Sequence, residues 1–225
     1  MSAPHPEPSR PRVPRWWRFA GLLLRPRVAR ALARLADGYL TETGWLRSAA
    51  AGEVVNARGE PVPWATCPFI EFIAPRLRPE WGVFEYGAGA STRFYAARVA
   101  DVRAVEHDAA FAARLRPLLP ANARVAVRPE GSDEYLAEIA AMAAPPEIVC
   151  IDGRDRVRCA AFAIRHAAPA GVIVFDDTER PQYAPALAVL AAAGFRRIEF
   201  WGMSPGSELH RATTIFYRPE NVLGI

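Results

Sequence analysis

The chain contains no lysine; all 28 of its cations are arginine. No side-chain amine is present to lose a proton and serve as a base, because guanidinium stays charged at any working pH. Cysteine is scarce too. Cys67, Cys150 and Cys159 are odd in number and show no metal-ligand spacing, and a reduced, cytoplasmic setting fits them best. Long apolar runs are missing. Phe19-Ala20-Gly21-Leu22-Leu23-Leu24 has six residues. That is too short to span a bilayer or to form a secretory leader's apolar core, and no small-residue cleavage site follows it. No internal repeat is visible.

What is present suffices for one domain with a full core: 225 residues, half of them apolar. The charge is unevenly placed. Residues 1–35 hold eight arginines against Glu7 alone, a balance of +7, while the other 20 arginines and 23 acids give −3. The basic character therefore belongs to the N-terminal segment, and a mildly acidic body argues against a nucleic-acid-processing core.

Three regions follow in order. Residues 1–14 carry five prolines and no apolar periodicity, which predicts a disordered tail. Residues 15–80 form a helical and accessory segment. Within it Val28, Ala31, Leu32, Leu35 and Tyr39 recur at helical spacing among arginines, predicting an amphipathic helix over Arg27–Leu40. Such a helix either packs on the main domain or, helped by Trp16 and Trp17, lies on an anionic membrane surface. Gly59 predicts a small hairpin, and Cys67–Leu77 one short helix. Residues 81–225 alternate. Strands are expected near 82–86, 102–106, 123–128, 147–151 and 171–176, with helices near 91–99, 109–117, 133–143, 156–167 and 183–193. Strict alternation predicts a parallel sheet covered on both faces, of the doubly wound, Rossmann-like α/β class. Residues 196–200 and 213–217 add two strands with no helix between them, hence antiparallel, joined by a Gly-, Ser- and Pro-rich loop over Trp201–Ala212.

Val83-Phe84-Glu85-Tyr86-Gly87-Ala88-Gly89-Ala90-Ser91-Thr92 carries the chemistry. An apolar strand ends in a carboxylate, two glycines turn the chain, and a helix begins. That order lets a nucleotide-like ligand lie against bare backbone. Glu106 ends the next apolar run, 19 residues after Gly87, about one β-α-β unit. A dinucleotide fingerprint would place a third glycine where Thr92 stands, and an apolar residue where Glu85 stands.

The pattern Glu-x-Gly-x-Gly-x-Ser instead resembles the first motif of class I S-adenosylmethionine-dependent methyltransferases, over roughly residues 81–218. The resemblance implies a seven-stranded sheet finished by an antiparallel hairpin. It implies that Glu85, Gly87, Gly89, Ser91 and Thr92 hold the amino-acid end of the cofactor and that Glu106 accepts hydrogen bonds from the ribose. His107, Ser132 and Asp133 would lie near the adenine. Ser132 and Asp133 could equally cap the helix that follows.

Strand-end carboxylates form a second constellation. Asp152 follows the fourth strand, and Asp176-Asp177 the fifth. Carboxylates on one edge repel unless cations sit among them. The spacing is similar to the metal-binding carboxylates of catechol- and caffeoyl-coenzyme-A-type O-methyltransferases, which implies Mg²⁺ on Asp152, Asp176 and Asp177, with Asp152 also touching the cofactor and Asp152 and Asp176 serving catalysis. Two departures stand out. Asp177 replaces an expected asparagine, and Asp155 stands where that family has its lysine base. His210 is then the best histidine candidate for a proton acceptor, while Arg154, Arg156 and Arg211 could clamp an anionic small-molecule substrate. The expected reaction is methyl transfer to a small molecule or glycan precursor, at oxygen. Its rivals are an NAD-dependent oxidoreductase or epimerase, and a non-catalytic module docked to a membrane or partner enzyme through residues 15–40.

Overall fold

The computed structural model describes Gly21 and residues 24–225. The expected tail over residues 1–14, Trp16, Trp17 and most of the Phe19–Leu24 run lie outside the described residues. Helix α1, Pro26–Leu35, opens on a proline whose missing N–H is no loss in a first turn. It continues through a wide turn, Ala36–Leu40. None of its ten residues is buried, so the expected amphipathic helix forms without inserting a face into the core. The chain is tied down further along. In α2, Trp45–Ala51, the Trp45 indole N–H donates to the Ser207 carbonyl at 2.9 Å, and buried Ser48 bonds both backbone groups of Val55. Gly59 turns a minimal hairpin closed by Val55 against Pro61. Helix α3, Cys67–Ile73, buries Phe69 and Ile73. No helix among the described residues is long and apolar enough to cross a membrane.

The alternating region folds as β1 (Gly82–Tyr86), α4 (Ala90–Ala96), β2 (Asp101–Glu106), α5 (Ala109–Leu115), β3 (Ala123–Val127), α6 (Asp133–Ala137), β4 (Ile148–Ile151), α7 (Arg156–His166), β5 (Val172–Asp176), α8 (Ala184–Ala192), β6 (Arg196–Ser204) and β7 (Ser207–Tyr217). The seven strands lie in the order β3-β2-β1-β4-β5-β7-β6. The first five run parallel, and β7 is antiparallel to both β5 and β6. Strand parity divides the core. Val83, Ile148, Cys150, Val172 and Val174 face one layer with α3 and α4. Phe84, Tyr86, Val149, Ile151, Ile173 and Phe175 face the other with α6, α7 and α8. Both faces of the sheet are covered, so central strands read as continuous apolar runs.

The last two strands differ from the expectation. Residues 201–212 are not a loop. Trp201 pairs with Ala212 and Gly202 with Arg211, a bulge falls between Gly202 and Ser204, and only Pro205-Gly206 turns the chain. The Gly and Ser content marks a bulged, tightly turned hairpin rather than a flexible connection.

Candidate active site

The first crossover bend is built by close backbone approach. Gly87 has φ +95°, and a Cβ there would come within 2.9 Å of the Gly153 backbone. Gly153 has the reciprocal constraint, since a Cβ would sit 2.3 Å from the Tyr135 hydroxyl. The β1 and β4 exits are thereby pressed together. Gly89 is extended at φ 172° and has no atom within 4 Å of where its Cβ would be. Thr92 is fully buried and its hydroxyl accepts from the Gly89 N–H at 3.0 Å; it braces the bend from behind rather than facing the cleft.

Glu85 shares the parity of Val83, so its carboxylate enters the layer between sheet and α4. It is buried, and Oε2 has no hydrogen-bond partner. Burial pushes its pKa up to about 7, against the opposing pull of hydrogen bonds from Ser91 and Thr92. Glu106, buried at the end of β2, is a gathering point. Its Oε1 accepts from the backbone N–H groups of His107 at 2.8 Å and Asp108 at 2.9 Å, and His107 Nδ1 lies 2.7 Å away. Oε2 accepts from Ala88 N–H at 3.2 Å. A carboxylate offers about four lone-pair positions, so Oε2 retains capacity toward the cleft.

The expected carboxylate cluster exists. One oxygen from each of Asp152, Asp176 and Asp177 lies within 4.8 Å of the others. A guanidinium already occupies it. Arg156 is buried and uses all five of its N–H donors: Nη2 on Asp152 Oδ1 at 2.8 Å and on the Asp152 carbonyl at 2.9 Å; Nη1 on Asp177 Oδ2 at 3.2 Å and on the Asp176 carbonyl at 2.6 Å; and Nε on the Gly153 carbonyl at 3.0 Å. Arg180 Nη2 sits 2.9 Å and Arg211 Nη1 3.7 Å from Asp177 Oδ1. Asp177 holds this position at φ +62°, a left-handed conformation that costs a non-glycine residue roughly 1–3 kcal/mol. Asp176 accepts from the Thr213 hydroxyl at 2.5 Å, and burial together with its acidic neighbours pushes its pKa well up. Asp152 is 49% accessible at its side chain and borders the cleft. Poor solvation, partly countered by Arg156, raises it to about 6.

These groups border a cleft of about 580 Å³. Gly87–Ser91, Glu106, His107, Asp152–Arg156, Arg180 and Tyr183 line it. Val54 and Trp64 from the accessory segment also line it, and the Arg211 guanidinium lies 5.3 Å from the Trp64 ring centre. A smaller cavity of about 30 Å³ behind the bend is lined by Glu85, Tyr95, Cys150, Asp152, Asp176 and Thr213.

No family model matches the sequence, and no curated protein does. Solved structures do match. A precorrin-6y C5,15-methyltransferase from Geobacter metallireducens superposes with TM-score 0.53 at 12% identity, over 68% of this chain and 88% of that one. The O-methyltransferase TomG from Streptomyces achromogenes, in complex with SAM, gives 0.51 at 18% identity, over 65% and 77%. A precorrin 8w decarboxylase from Methanobacterium thermoautotrophicum gives 0.52 at 15% identity, over 75% and 97%.

The chain has the class I methyltransferase fold.

Within this methyltransferase fold the expected residues sort by parity and by element. Gly87, Gly89, Ser91, Glu106, His107 and Asp152 all border the cleft, and Glu85 lies directly behind the bend. Ser132 and Asp133 do not border it. The Ser132 hydroxyl caps α6 by accepting from Tyr135 N–H at 3.1 Å, and Asp133 pairs with Arg158 at 2.7 Å. Glu130 takes their place on the wall. His210 is also misplaced. It stands on β7, exposed, with its ring 5.0 Å from that of Trp201. Arg211, one residue on, takes the opposite face and reaches Asp177. Arg156 has no donor left for a substrate, whereas Arg154 borders the cleft with no ion-pair partner among the described residues. Trp64, Arg180 and Tyr183 were not foreseen, although a tryptophan preceded by two prolines in Pro61-Val62-Pro63-Trp64 is a usable signal.

Proposed function

We propose that this chain binds S-adenosylmethionine and transfers its methyl group to a small-molecule acceptor, at oxygen. The observation that carries the reading is the orphaned carboxylate oxygen of Glu85, buried beside a bend whose Gly89 leaves its Cβ position empty, with Glu106 at the next strand end. An unpartnered buried carboxylate is costly unless a cation or donor meets it. The cofactor's ammonium and its ribose diol match Glu85 and Glu106 respectively. The fold shared with methyltransferases supports the same assignment.

When bound, the cofactor supplies a methyl carbon on a sulfonium. The chain's own work is alignment and proton removal. Asp152 Oδ1 is fixed by Arg156, and Oδ2 has no partner among the described residues, which leaves it to accept the proton of the acceptor hydroxyl. A pKa near 6 suits a base working at neutral pH. Arg154 and Arg180 give the acceptor end a positive lining, and Trp64 and Val54 restrict water above it.

Isothermal titration of the full chain tests this reading. S-adenosylmethionine should bind one-to-one with micromolar affinity, about −8 kcal/mol, and NAD should give no heat. Glu106→Ala should weaken the cofactor by about 1–3 kcal/mol, the worth of a hydrogen bond to a charged group. Heat from NAD alone would overturn the reading.

A further inference from the structure

We infer that the carboxylate cluster takes no divalent cation, because the Arg156 guanidinium fills the cation's place. This goes beyond the methyl-transfer reading and rests on it only for its catalytic consequence.

The donor set argues the case. Mg²⁺ requires near-octahedral oxygen ligands at about 2.0–2.1 Å and usually takes one or two carboxylates with free lone pairs. Here Asp152 Oδ1 and Asp177 Oδ2 converge on one group, and that group is Arg156. The other oxygen of Asp177 accepts no hydrogen bond among the described residues, but lies 2.9 Å from the Arg180 and 3.7 Å from the Arg211 guanidinium, and Asp176 Oδ1 is taken by Thr213. The Asp152 and Asp177 carboxylates thus meet three guanidiniums, while Asp176 bonds to Thr213. A cation entering between Asp152 Oδ1 and Asp177 Oδ2 would have to expel a buried arginine whose five donors are all satisfied, stranding that charge in a poorly solvated site.

The sequence departures now share one physical account. A planar fork bridges two carboxylates as a metal would but offers no vacant coordination position for an acceptor oxygen. It therefore positions Asp152 and cannot itself lower the acceptor's pKa as a Lewis acid does. Proton removal falls to the free oxygen of Asp152, in a chain that has no lysine to do it. Arg156 is a positioning residue.

Electron paramagnetic resonance of Mn²⁺, titrated into the full chain without cofactor, tests this directly. Wild type should leave the free-ion signal undiminished up to millimolar Mn²⁺. Its affinity for S-adenosylmethionine should agree within twofold in EDTA and in Mg²⁺. Loss of one equivalent of signal in wild type, abolished by Asp177→Asn, would overturn the inference. In Arg156→Gln, which removes the guanidinium charge, Mn²⁺ binding should appear and be at least tenfold tighter than in wild type. A folded Arg156→Gln protein that still ignores Mn²⁺ would also overturn it, since something other than the guanidinium would then be excluding the ion. Because Mn²⁺ is read without cofactor, an occupied metal site and a failed cofactor titration are separate results.

Discussion

A single buried oxygen sets the behaviour expected at the residue scale. Glu85 is held neutral up to about pH 7 in the folded chain, against an ordinary value near 4.5. Between those values the unfolded chain releases the proton while the folded chain keeps it. Stability from this group is therefore lost as pH rises through the window, by up to about 3 kcal/mol above pH 7. Glu85→Gln removes the penalty. Urea denaturation should find the variant equal to wild type at pH 4 and more stable at pH 8 by about 1–3 kcal/mol. The same substitution should weaken S-adenosylmethionine at pH 8 by tenfold or more, because a neutral amide cannot replace the carboxylate opposite an ammonium. A residue that loses binding while gaining stability is one whose strain serves a ligand. If Glu85→Gln were destabilising at pH 8, its carboxylate would have to be serving the fold instead. The strand-end position of such residues was readable in the chain, because a carboxylate after an apolar run has few structural uses. His210 was not readable in the same way. Whether it or Arg211 faces the site depends on one step of strand parity, and parity could not be assigned while residues 201–212 read as a loop.

Elements decide which glycines matter, and for what. Gly153 is locked against Tyr135 and Gly87. Gly153→Ala must push apart the β1 and β4 exits, and overpacking of this kind costs about 1–3 kcal/mol. Gly89 is extended and open, so Gly89→Ala should leave the urea midpoint within about 0.5 kcal/mol of wild type. Its methyl would enter the space where a ligand approaches the bend, and S-adenosylmethionine affinity should fall at least tenfold. The pair separates architecture from recognition, and matching losses of stability in both would remove the bend's claim to be a binding surface. All seven strands and the helices that cover them were legible from apolar period and turn chemistry, with boundaries displaced by a few residues. Four of the expected helices finish in 3-10 turns, at residues 74–76, 116–118 and 138–141, or begin in one, at 181–183, where proline or a weak last turn tightens the backbone. The roof was harder. Trp64 reaches the cleft through tertiary packing of a segment with almost no regular structure, and no periodic signal reports where such a segment folds back.

For the whole molecule, the question is how far the basic N-terminal segment belongs to the machine. The α/β body carries a formal −3, while residues 1–35 carry +7. Helix α1 buries none of its residues, and the described contacts that fasten the accessory segment start after it, with Tyr39 and Thr43 on Cys67 and then Trp45 and Ser48. Packing of an apolar face supplies most of a helix's stability in a protein, and α1 supplies little of it to the core. A chain beginning at residue 36 should therefore keep its melting temperature within a few degrees and its cofactor affinity within twofold. What should change is the long-range field. Reversing the net charge from +4 to −3 removes attraction to anionic surfaces, a term that falls off within a Debye length of about 8–10 Å. Sedimentation with vesicles of anionic lipid, at low and at physiological salt, measures it. Salt-sensitive sedimentation of the full chain, lost on truncation, would give α1 the peripheral role open to a basic amphipathic helix. Absence of sedimentation would remove that role and leave the cleft untouched. Loss of cofactor binding on truncation would contradict the burial pattern itself, because no described residue of α1 borders the cleft.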